Sequence, residues 1–188
     1  MNLKDLARSG HVTRWHMVRT QRQQTLAEHH YLVTMIARAM LQRIAIHEVP
    51  QADLLALLNY TLLHDTPELL LGDIPTPTKR KLVELLGGAD PLAELEIIVS
   101  PEYRAAKEQI NDTYLARVAK LADLADAIVF LSQEGMGSHA SVVHQKLLSQ
   151  FAEAVETAVH DYPSHQWQGA YSVLDEMLDG PDGQIDFE

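Results

Sequence analysis

The sequence has no cysteine among its 188 residues. This absence excludes disulfide bridges, a thiolate nucleophile and zinc sites built on cysteine. Apolar runs are also short: none approaches the roughly 20 residues that span a bilayer, and the first residues lack the apolar core of a signal peptide. Basic side chains are scarce, with 15 Lys and Arg against 26 Asp and Glu, which argues against general nucleic-acid binding. We therefore expect a globular protein of the cytoplasm, with neither a membrane nor a nucleic-acid polymer as its partner.

The net charge of −11 is unevenly distributed along the chain. Residues 1–24 contain five basic side chains and one acidic one, so this segment is suited to face an anion. Residues 175–188 contain six acids and no base. A chain of this length is typical of one domain. We predict a single domain over residues 1–178 and an acidic C-terminal tail over 179–188.

The apolar residues recur with a helical period almost throughout, and alternating runs of β-branched residues are absent. The sequence therefore predicts an all-α fold, with Thr25 and Glu28 forming a capping box at the start of one helix. The proline-rich stretch over residues 72–79 is predicted to be a loop. The predicted helices cover residues 2–8, about 26–46, about 51–64, a short segment ended by Gly87 and Gly88, 112–133, 139–160 and 165–178.

Histidine and carboxylate residues occur at apolar positions of these predicted helices. Ten histidines in a chain without cysteine direct attention to metal or acid–base chemistry. Each residue also has an ordinary structural interpretation: a histidine satisfied within the core, a surface acid, or a salt bridge to Lys120. Together they favour one shared metal site, because buried imidazoles and carboxylates need a partner. The residues in question are His29, His30, His64, Asp65, Glu68, Asp123 and Asp126.

Four segments in this order resemble the HD-domain phosphohydrolases, and within them the 5′-deoxynucleotidase branch. The longest and most specific is the block HDTPELLLGDIPTPTK, which runs from His64 to Lys79. The other three are Arg14-Trp15, Ala27-Glu28-His29 and Lys120-Leu121-Ala122-Asp123. The similarity covers roughly residues 1–150. It implies a compact helical domain with a metal site between its central helices.

The resemblance also implies roles for individual residues. The implied metal ligands are His29, His64, Asp65 and Asp123, which would hold Zn, Co or Mn, with a second ion such as Mg as an option. His29 is preferred to His30 because it follows Glu28, which leaves His30 as a neighbour. Asp126 lies outside the motif, and we interpret it as a salt-bridging acid or one that supports a ligand.

Further residues are implied for catalysis and for substrate binding. Glu68 and Asp73 are the candidate catalytic acids, with Glu68 orienting water or protonating the leaving 5′-oxygen. Arg14, Lys79 and Lys120 are the candidate phosphate contacts. Trp15 would support the base or sugar, although simple core packing is an equal alternative. Met17 would lie against the purine edge.

Two relatives share these motifs: bacterial 5′-deoxynucleotidases, and the dATP triphosphohydrolases of phages that replace adenine with 2-aminoadenine. The local sequence from Arg14 to Thr20 and the short chain favour the viral group. The expected reaction is the hydrolysis of dATP to deoxyadenosine and triphosphate, and the expected assembly is a homo-oligomer. The alternatives are a 5′-deoxynucleotidase of monophosphates and an HD-type sensor that binds metal or nucleotide without turnover.

Overall fold

A computed structural model describes residues 1–180, which form ten α-helices and contain no strand. The predicted all-α fold is confirmed. Residues 181–188, most of the predicted acidic tail, lie outside the described part of the chain. No helix in residues 1–180 has the length and apolarity to span a membrane. The helices are α1 (Leu3–Leu6, followed by a 3₁₀ turn at Ala7–Gly10), α2 (Leu26–Ile44), α3 (Gln51–Leu63), α4 (Glu68–Leu71), α5 (Thr76–Leu85), α6 (Pro91–Val99), α7 (Pro101–Ile110), α8 (Tyr114–Glu134), α9 (Gly137–Asp161) and α10 (Gln168–Asp179).

Helix α8 lies at the centre of the molecule and packs against α2, α3, α7, α9 and α10. Its buried residues run from Leu115 to Leu131 and lie on most sides of the helix, as expected of a helix surrounded by others. The buried face of α2 repeats every three or four residues, from Leu26 through Val33 and Met40 to Ile44. The apolar contact of α2 with α8 forms the middle of the core. It also sets the polar residues of both helices opposite one another.

The start of α2 is fixed by Thr25, whose hydroxyl accepts a hydrogen bond from the backbone N–H of Glu28 at 3.2 Å. Only this half of the predicted capping box forms. The Glu28 carboxylate instead pairs with Arg22, at 2.7 Å, because a charged partner is available there.

Helix α3 ends at Leu63, just before the pair His64-Asp65. The Thr66 hydroxyl donates to the carbonyl of Leu63 at 2.7 Å, and Pro67 follows without a backbone donor, so the helix does not continue. The short α4 then begins at Glu68. The chain leaves α4 through Gly72, whose φ of 77° is accessible at little cost only to glycine.

Two segments differ from the sequence prediction. The loop predicted over residues 72–79 ends early, because α5 begins at Thr76 and accepts Pro77 within its first turn, where no intrahelical N–H bond is lost. Residues 89–111, for which no element was predicted, form α6 and α7. The signal was present in two pairs, Asp90-Pro91 and Ser100-Pro101, in which a capping side chain precedes a proline at the first helical position.

Candidate metal centre and active site

Two histidines and one aspartate come together from α2, the residue after α3, and α8. His29 lies in the first turn of α2, His64 follows the last residue of α3, and Asp123 lies in the middle of α8. One donor atom from each of the three lies within 4.8 Å of the others, which makes the group able to hold a metal ion. His29 is fully buried, whereas Asp123 keeps 27% of its side chain accessible. The group is therefore enclosed on the His29 side and reachable on the Asp123 side.

The hydrogen bonds of both imidazole rings direct the same nitrogen toward this group. His29 Nδ1 lies 2.6 Å from Asp126 Oδ2, and His64 Nδ1 lies 2.8 Å from the carbonyl oxygen of Thr61. Both partners are acceptors, so each Nδ1 carries a hydrogen and donates it. The two Nε2 atoms then face each other at 3.1 Å. Two lone pairs at this distance repel unless a proton or a cation lies between them.

The Asp65 carboxylate also lies close to both Nε2 atoms. Its Oδ2 lies 3.3 Å from His29 Nε2 and 3.6 Å from His64 Nε2. Ligands bound tetrahedrally at about 2.05 Å stand about 3.3 Å apart, so these spacings suit a divalent cation bound by nitrogen and oxygen. Asp123 Oδ1 is somewhat farther, at 3.7 Å from His29 Nε2.

The pKa values of His29 and Asp65 are shifted toward their charged forms, whereas burial lowers the pKa of His64. Burial and Arg14 lower the pKa of His29, but its hydrogen bonds to Asp126 and Asp65 outweigh both and raise it. Burial would raise the pKa of Asp65, yet His64, His29 and Arg14 hold it well below its usual range. Both effects stabilise an anionic carboxylate beside a cationic centre.

Arg14 approaches the cluster from the segment that precedes α2. Its Nη1 lies 3.5 Å from Asp65 Oδ2, and 17% of its side chain is exposed. This buried nitrogen has no hydrogen-bond partner in the described structure. A buried guanidinium nitrogen without an acceptor is costly, so Arg14 is suited to receive an anionic group.

Glu68, in the first turn of α4, is 8% exposed, and its buried Oε2 has no hydrogen-bond partner among the described residues. Burial, followed by the negative charge of Asp65 and Asp73, raises its pKa to about 8. Its carboxyl group therefore carries a proton at neutral pH in the absence of a bound cation. Asp73, just beyond α4, has Oδ2 at 4.0 Å from His16 Nε2.

Both candidate lysines line a cavity of about 210 Å³ that is bordered by the metal-binding group. Lys79 Nζ donates to Glu96 at 2.9 Å, and Lys120 Nζ donates to Asp123 Oδ2 at 3.0 Å. The pKa of Asp123 falls to about 2, since Lys120 and His29 outweigh the opposing effect of its burial. The cavity is thus lined by two lysines and by His64, Asp65 and Asp123 of the cluster, whereas His29, Arg14, Glu68 and Asp73 do not line it. Its remaining lining residues include Val33, Tyr60, Thr61, Tyr103, Ala116 and Ala119.

The structure does not bring Trp15 and Met17 to the wall of this cavity. The Trp15 ring stacks on Phe130, with the centroids 5.8 Å apart and 10° between the planes, and Nε1–H donates to Gln24 Oε1 at 3.0 Å. Met17 is 62% exposed. The backbone of Trp15 has a φ of 69°, a strained value for a residue with a side chain.

One residue of the site, Gln24, had little signal in the sequence, whereas His30 was expected as a neighbour of His29. Gln24 is completely buried and donates from Nε2 to Asp126 Oδ2 at 2.9 Å, but it lies in a polar stretch of the sequence where a glutamine indicates no particular chemistry. His30 is 7% exposed and lies beside His64, with ring centroids 5.2 Å apart. Its Nε2 has no partner in the described residues. Burial, followed by the proximity of His64, lowers its pKa to about 3.

Comparison with known proteins assigns the chain to a family. Residues 3–157 match the family described as 5′-deoxynucleotidase YfbR-like. The chain belongs to the YfbR-like family of HD phosphohydrolases. Its similar relatives in this family include the dATP triphosphohydrolase of Acinetobacter phage SH-Ab 15497, 30% identical over all of this chain and 96% of that protein. The dATP triphosphohydrolase of cyanophage S-2L is 32% identical over 82% of this chain and 83% of its own length.

A solved structure has the same fold as this YfbR-like chain. It is the HD phosphohydrolase DatZ of cyanophage S-2L, bound to dA and one catalytic Zn²⁺ ion. The TM-score is 0.76, and the match covers 96% of this chain and 98% of the other, at 23% identity. The expected HD-type helical domain is therefore confirmed.

Proposed function

We propose that this YfbR-like protein is a divalent-metal-dependent dATP triphosphohydrolase, which converts dATP and water to deoxyadenosine and triphosphate. The observation that carries the proposal is the convergence of two imidazole Nε2 atoms with carboxylate oxygens at ligand spacing. Named relatives at 30–32% identity over most or all of the chain support this choice of substrate.

In this proposal His29, His64, Asp65 and Asp123 hold the metal ion, with Zn²⁺ as the first choice because nitrogen and oxygen donors suit it. When bound, the ion supplies a water of lowered pKa and neutralises charge on a phosphate oxygen. The hydrogen bonds from His29 to Asp126 and from His64 to Thr61 keep both Nε2 atoms directed at the ion.

Glu68 provides the proton that the leaving group needs. The oxygen of water bonds to the α-phosphorus and the water releases a proton, while the bond from that phosphorus to the 5′-oxygen breaks. The 5′-oxygen takes its proton from Glu68, and the proton released by water restores the Glu68 carboxyl group. In the metal-free protein this buried carboxyl has a pKa of about 8, so it can hold such a proton at neutral pH before the cation binds. Its Oε2, which has no hydrogen-bond partner among residues 1–180, is the proposed donor atom. Asp73, whose charge acts on Glu68, is proposed to sustain that protonated state.

The cationic side chains are proposed to bind the phosphates. Arg14 has a buried nitrogen without an acceptor, and Lys79 and Lys120 lie on the cavity wall. Charge on the phosphate oxygens is stabilised by such prearranged donors at no cost in reorganisation. Trp15 and Met17, which follow Arg14, are proposed to contact the adenine and so to contribute to base preference.

The test is a product analysis of the zinc-loaded protein. It is incubated separately with dATP, dGTP, ATP and dAMP, and the products are separated by chromatography. Triphosphate and deoxyadenosine in equal amounts from dATP are the expected result. Treatment with a chelator should abolish the reaction and zinc should restore it. Release of diphosphate or monophosphate in place of triphosphate would contradict the proposed bond cleavage.

The family name favours a second candidate, a 5′-deoxynucleotidase of monophosphates. The same assay separates the two. Activity on dAMP with none on dATP selects the deoxynucleotidase, and zinc binding without turnover of any of the four nucleotides selects a sensor.

We also propose that the active form is a homo-oligomer of one-domain chains in the cytoplasm, where deoxynucleotides are found. Large apolar side chains are exposed on α2 and α3, among them Tyr31 (63%), Met35 (43%), Leu55 (58%) and Leu62 (49%). Apolar patches of this kind are common at protein interfaces. Light scattering on the purified protein measures its molar mass in solution. A monomer at the assay concentration would refute the proposed homo-oligomer.

A further inference from the structure

A continuous chain of hydrogen bonds connects the segment before α2 to the interior of the candidate metal centre. Trp15 Nε1–H donates to Gln24 Oε1 at 3.0 Å, and Gln24 Nε2–H donates to Asp126 Oδ2 at 2.9 Å. The same Oδ2 accepts from His29 Nδ1–H at 2.6 Å. We call these four residues the Gln24 chain.

Every member of the Gln24 chain has a single workable orientation. The indole can only donate, so it requires the amide oxygen of Gln24, and this leaves the amide nitrogen for Asp126. The carboxylate can only accept, so it requires a hydrogen on His29 Nδ1. The Nε2 lone pair of His29 is thereby directed at the cluster.

Gln24 also fixes the backbone on which Arg14 and Trp15 lie. Its carbonyl oxygen accepts from the backbone N–H of Arg14 at 3.0 Å. The next residue, Trp15, holds a strained φ of 69°, which persists only where the surroundings determine it. Gln24 is completely buried and Asp126 is 2% exposed, so water does not compete for these bonds.

We propose that Gln24 is a positioning residue, which acts through Asp126 to hold His29 in its metal-binding tautomer and connects that ligand to the Arg14-Trp15 segment. This inference rests on the proposed metal centre. A carboxylate behind a ligating histidine fixes the ring and raises its basicity. Gln24 extends this arrangement by one residue to the side chains that are proposed to contact the nucleotide.

The experiment measures zinc affinity on the metal-free, full-length protein by competition with a chelator. Gln24→Met keeps the length of the side chain and removes both side-chain hydrogen bonds, while the backbone carbonyl can still accept from Arg14. Asp126→Asn keeps an acceptor oxygen and removes the charge, and Trp15→Phe removes only the outermost donor. We expect Asp126→Asn and Gln24→Met to weaken zinc binding by about 10–100-fold. Trp15→Phe should have a smaller effect, since it lies farthest from His29.

The matched control is Tyr114→Phe. The Tyr114 hydroxyl donates to Asp53 at 2.7 Å, a hydrogen bond between α8 and α3 that does not involve the cluster. This variant should lower the Tm and leave zinc affinity unchanged. Co²⁺ provides a second readout, because its visible absorption reports ligand geometry: Gln24→Met should alter the spectrum and Tyr114→Phe should not.

The outcomes separate this inference from the proposed function. If the unchanged protein binds zinc and folded Gln24→Met binds it equally tightly with the same Co²⁺ spectrum, the positioning role is refuted. If Gln24→Met does not fold, Asp126→Asn decides, and zinc affinity equal to that of the unchanged protein refutes a role that acts through Asp126. If the unchanged protein binds no zinc, the metal centre itself is wrong, and the inference fails with it.

Discussion

Glu68 combines burial, an unpartnered oxygen and a pKa raised to about 8, a set of properties suited to a general acid. Glu68→Gln has nearly the same shape and cannot donate a carboxyl proton. We expect kcat on dATP to fall by about 10²–10⁴-fold, because positioned acids contribute this much. Zinc affinity should stay close to that of the unchanged protein, as measured by titration. Normal turnover of dATP by this variant would remove Glu68 from the mechanism.

His64 contributes in a different way, since its Nε2 faces His29 Nε2 at 3.1 Å and its ring is held by Thr61. His64→Ala removes one donor atom from the cluster. We expect zinc binding and dATP hydrolysis to be lost together, in contrast to the separation expected for Glu68→Gln. Metal analysis of the purified variant, beside an assay at high zinc, checks this result. Retention of stoichiometric zinc with full activity would exclude His64 as a ligand.

His30 gives a prediction for the dependence of stability on pH. Its pKa falls from 6.5 to about 3 on folding, because burial and His64 disfavour its charged form. Between these two values the unfolded chain binds a proton that the folded chain does not. Stability therefore decreases as the pH falls through this window, by about 1.4 kcal/mol per pH unit.

His30→Gln is neutral at every pH and should remove this contribution. Urea unfolding of the metal-free protein between pH 6 and 4 should show a shallower loss of stability for the variant. Parallel curves for the two proteins would mean that folding does not lower the pKa of His30.

The residues of the cluster could be expected from the sequence, and the hydrogen bonds behind them could not. His64-Asp65 and Asp123 are conspicuous because imidazole and carboxylate groups interrupt apolar helices. Gln24 lacks such contrast, since its segment is polar. Its bond to Asp126 joins residues 102 positions apart and exists only once α2 and α8 have packed.

At the scale of the elements, helix contacts depend on small residues where backbones approach closely. Gly169, in the first turn of α10, is an example: a Cβ atom there would lie 2.6 Å from the carbonyl oxygen of Arg43 at the end of α2. Gly169→Ala should therefore push α10 away from α2 and cost about 1–3 kcal/mol in unfolding free energy.

Gly10→Ala is the control for this substitution, because nothing lies within 4 Å of the added methyl group. Thermal unfolding of both variants measures the difference. The kcat of folded Gly169→Ala should stay near that of the unchanged protein, since α10 does not line the cavity. Equal Tm values for the two variants would show that α10 shifts without cost.

The long helices were predictable because a 3.6-residue apolar period over 19 to 25 residues has no other explanation. The short helices were harder to predict from the sequence. Helix α5 begins inside a proline-rich stretch, and the break before α4 depends on a hydroxyl bond of Thr66 that competes with the next helical turn. Local competition of this kind is decided by tertiary packing, which the sequence pattern does not contain.

For the molecule as a whole, the candidate ligands connect helices that are far apart in the chain. His29 lies in the first turn of α2, His64 follows α3 and Asp123 lies within α8. A cation that binds all three stabilises the folded state, because the unfolded chain does not bring them together. Zinc at 100 times its Kd contributes about 2.7 kcal/mol, which for a domain of this size corresponds to a rise in Tm of about 5–10 °C.

Thermal unfolding with zinc and with excess chelator measures this rise. The Glu68→Gln protein should show the full rise, because its ligands are intact, and the His64→Ala protein should show almost none. This pair separates binding from catalysis without any assay of activity. A rise of equal size in His64→Ala would mean that zinc stabilises the molecule from another site, and the cluster would then need a different explanation for its facing imidazole nitrogens.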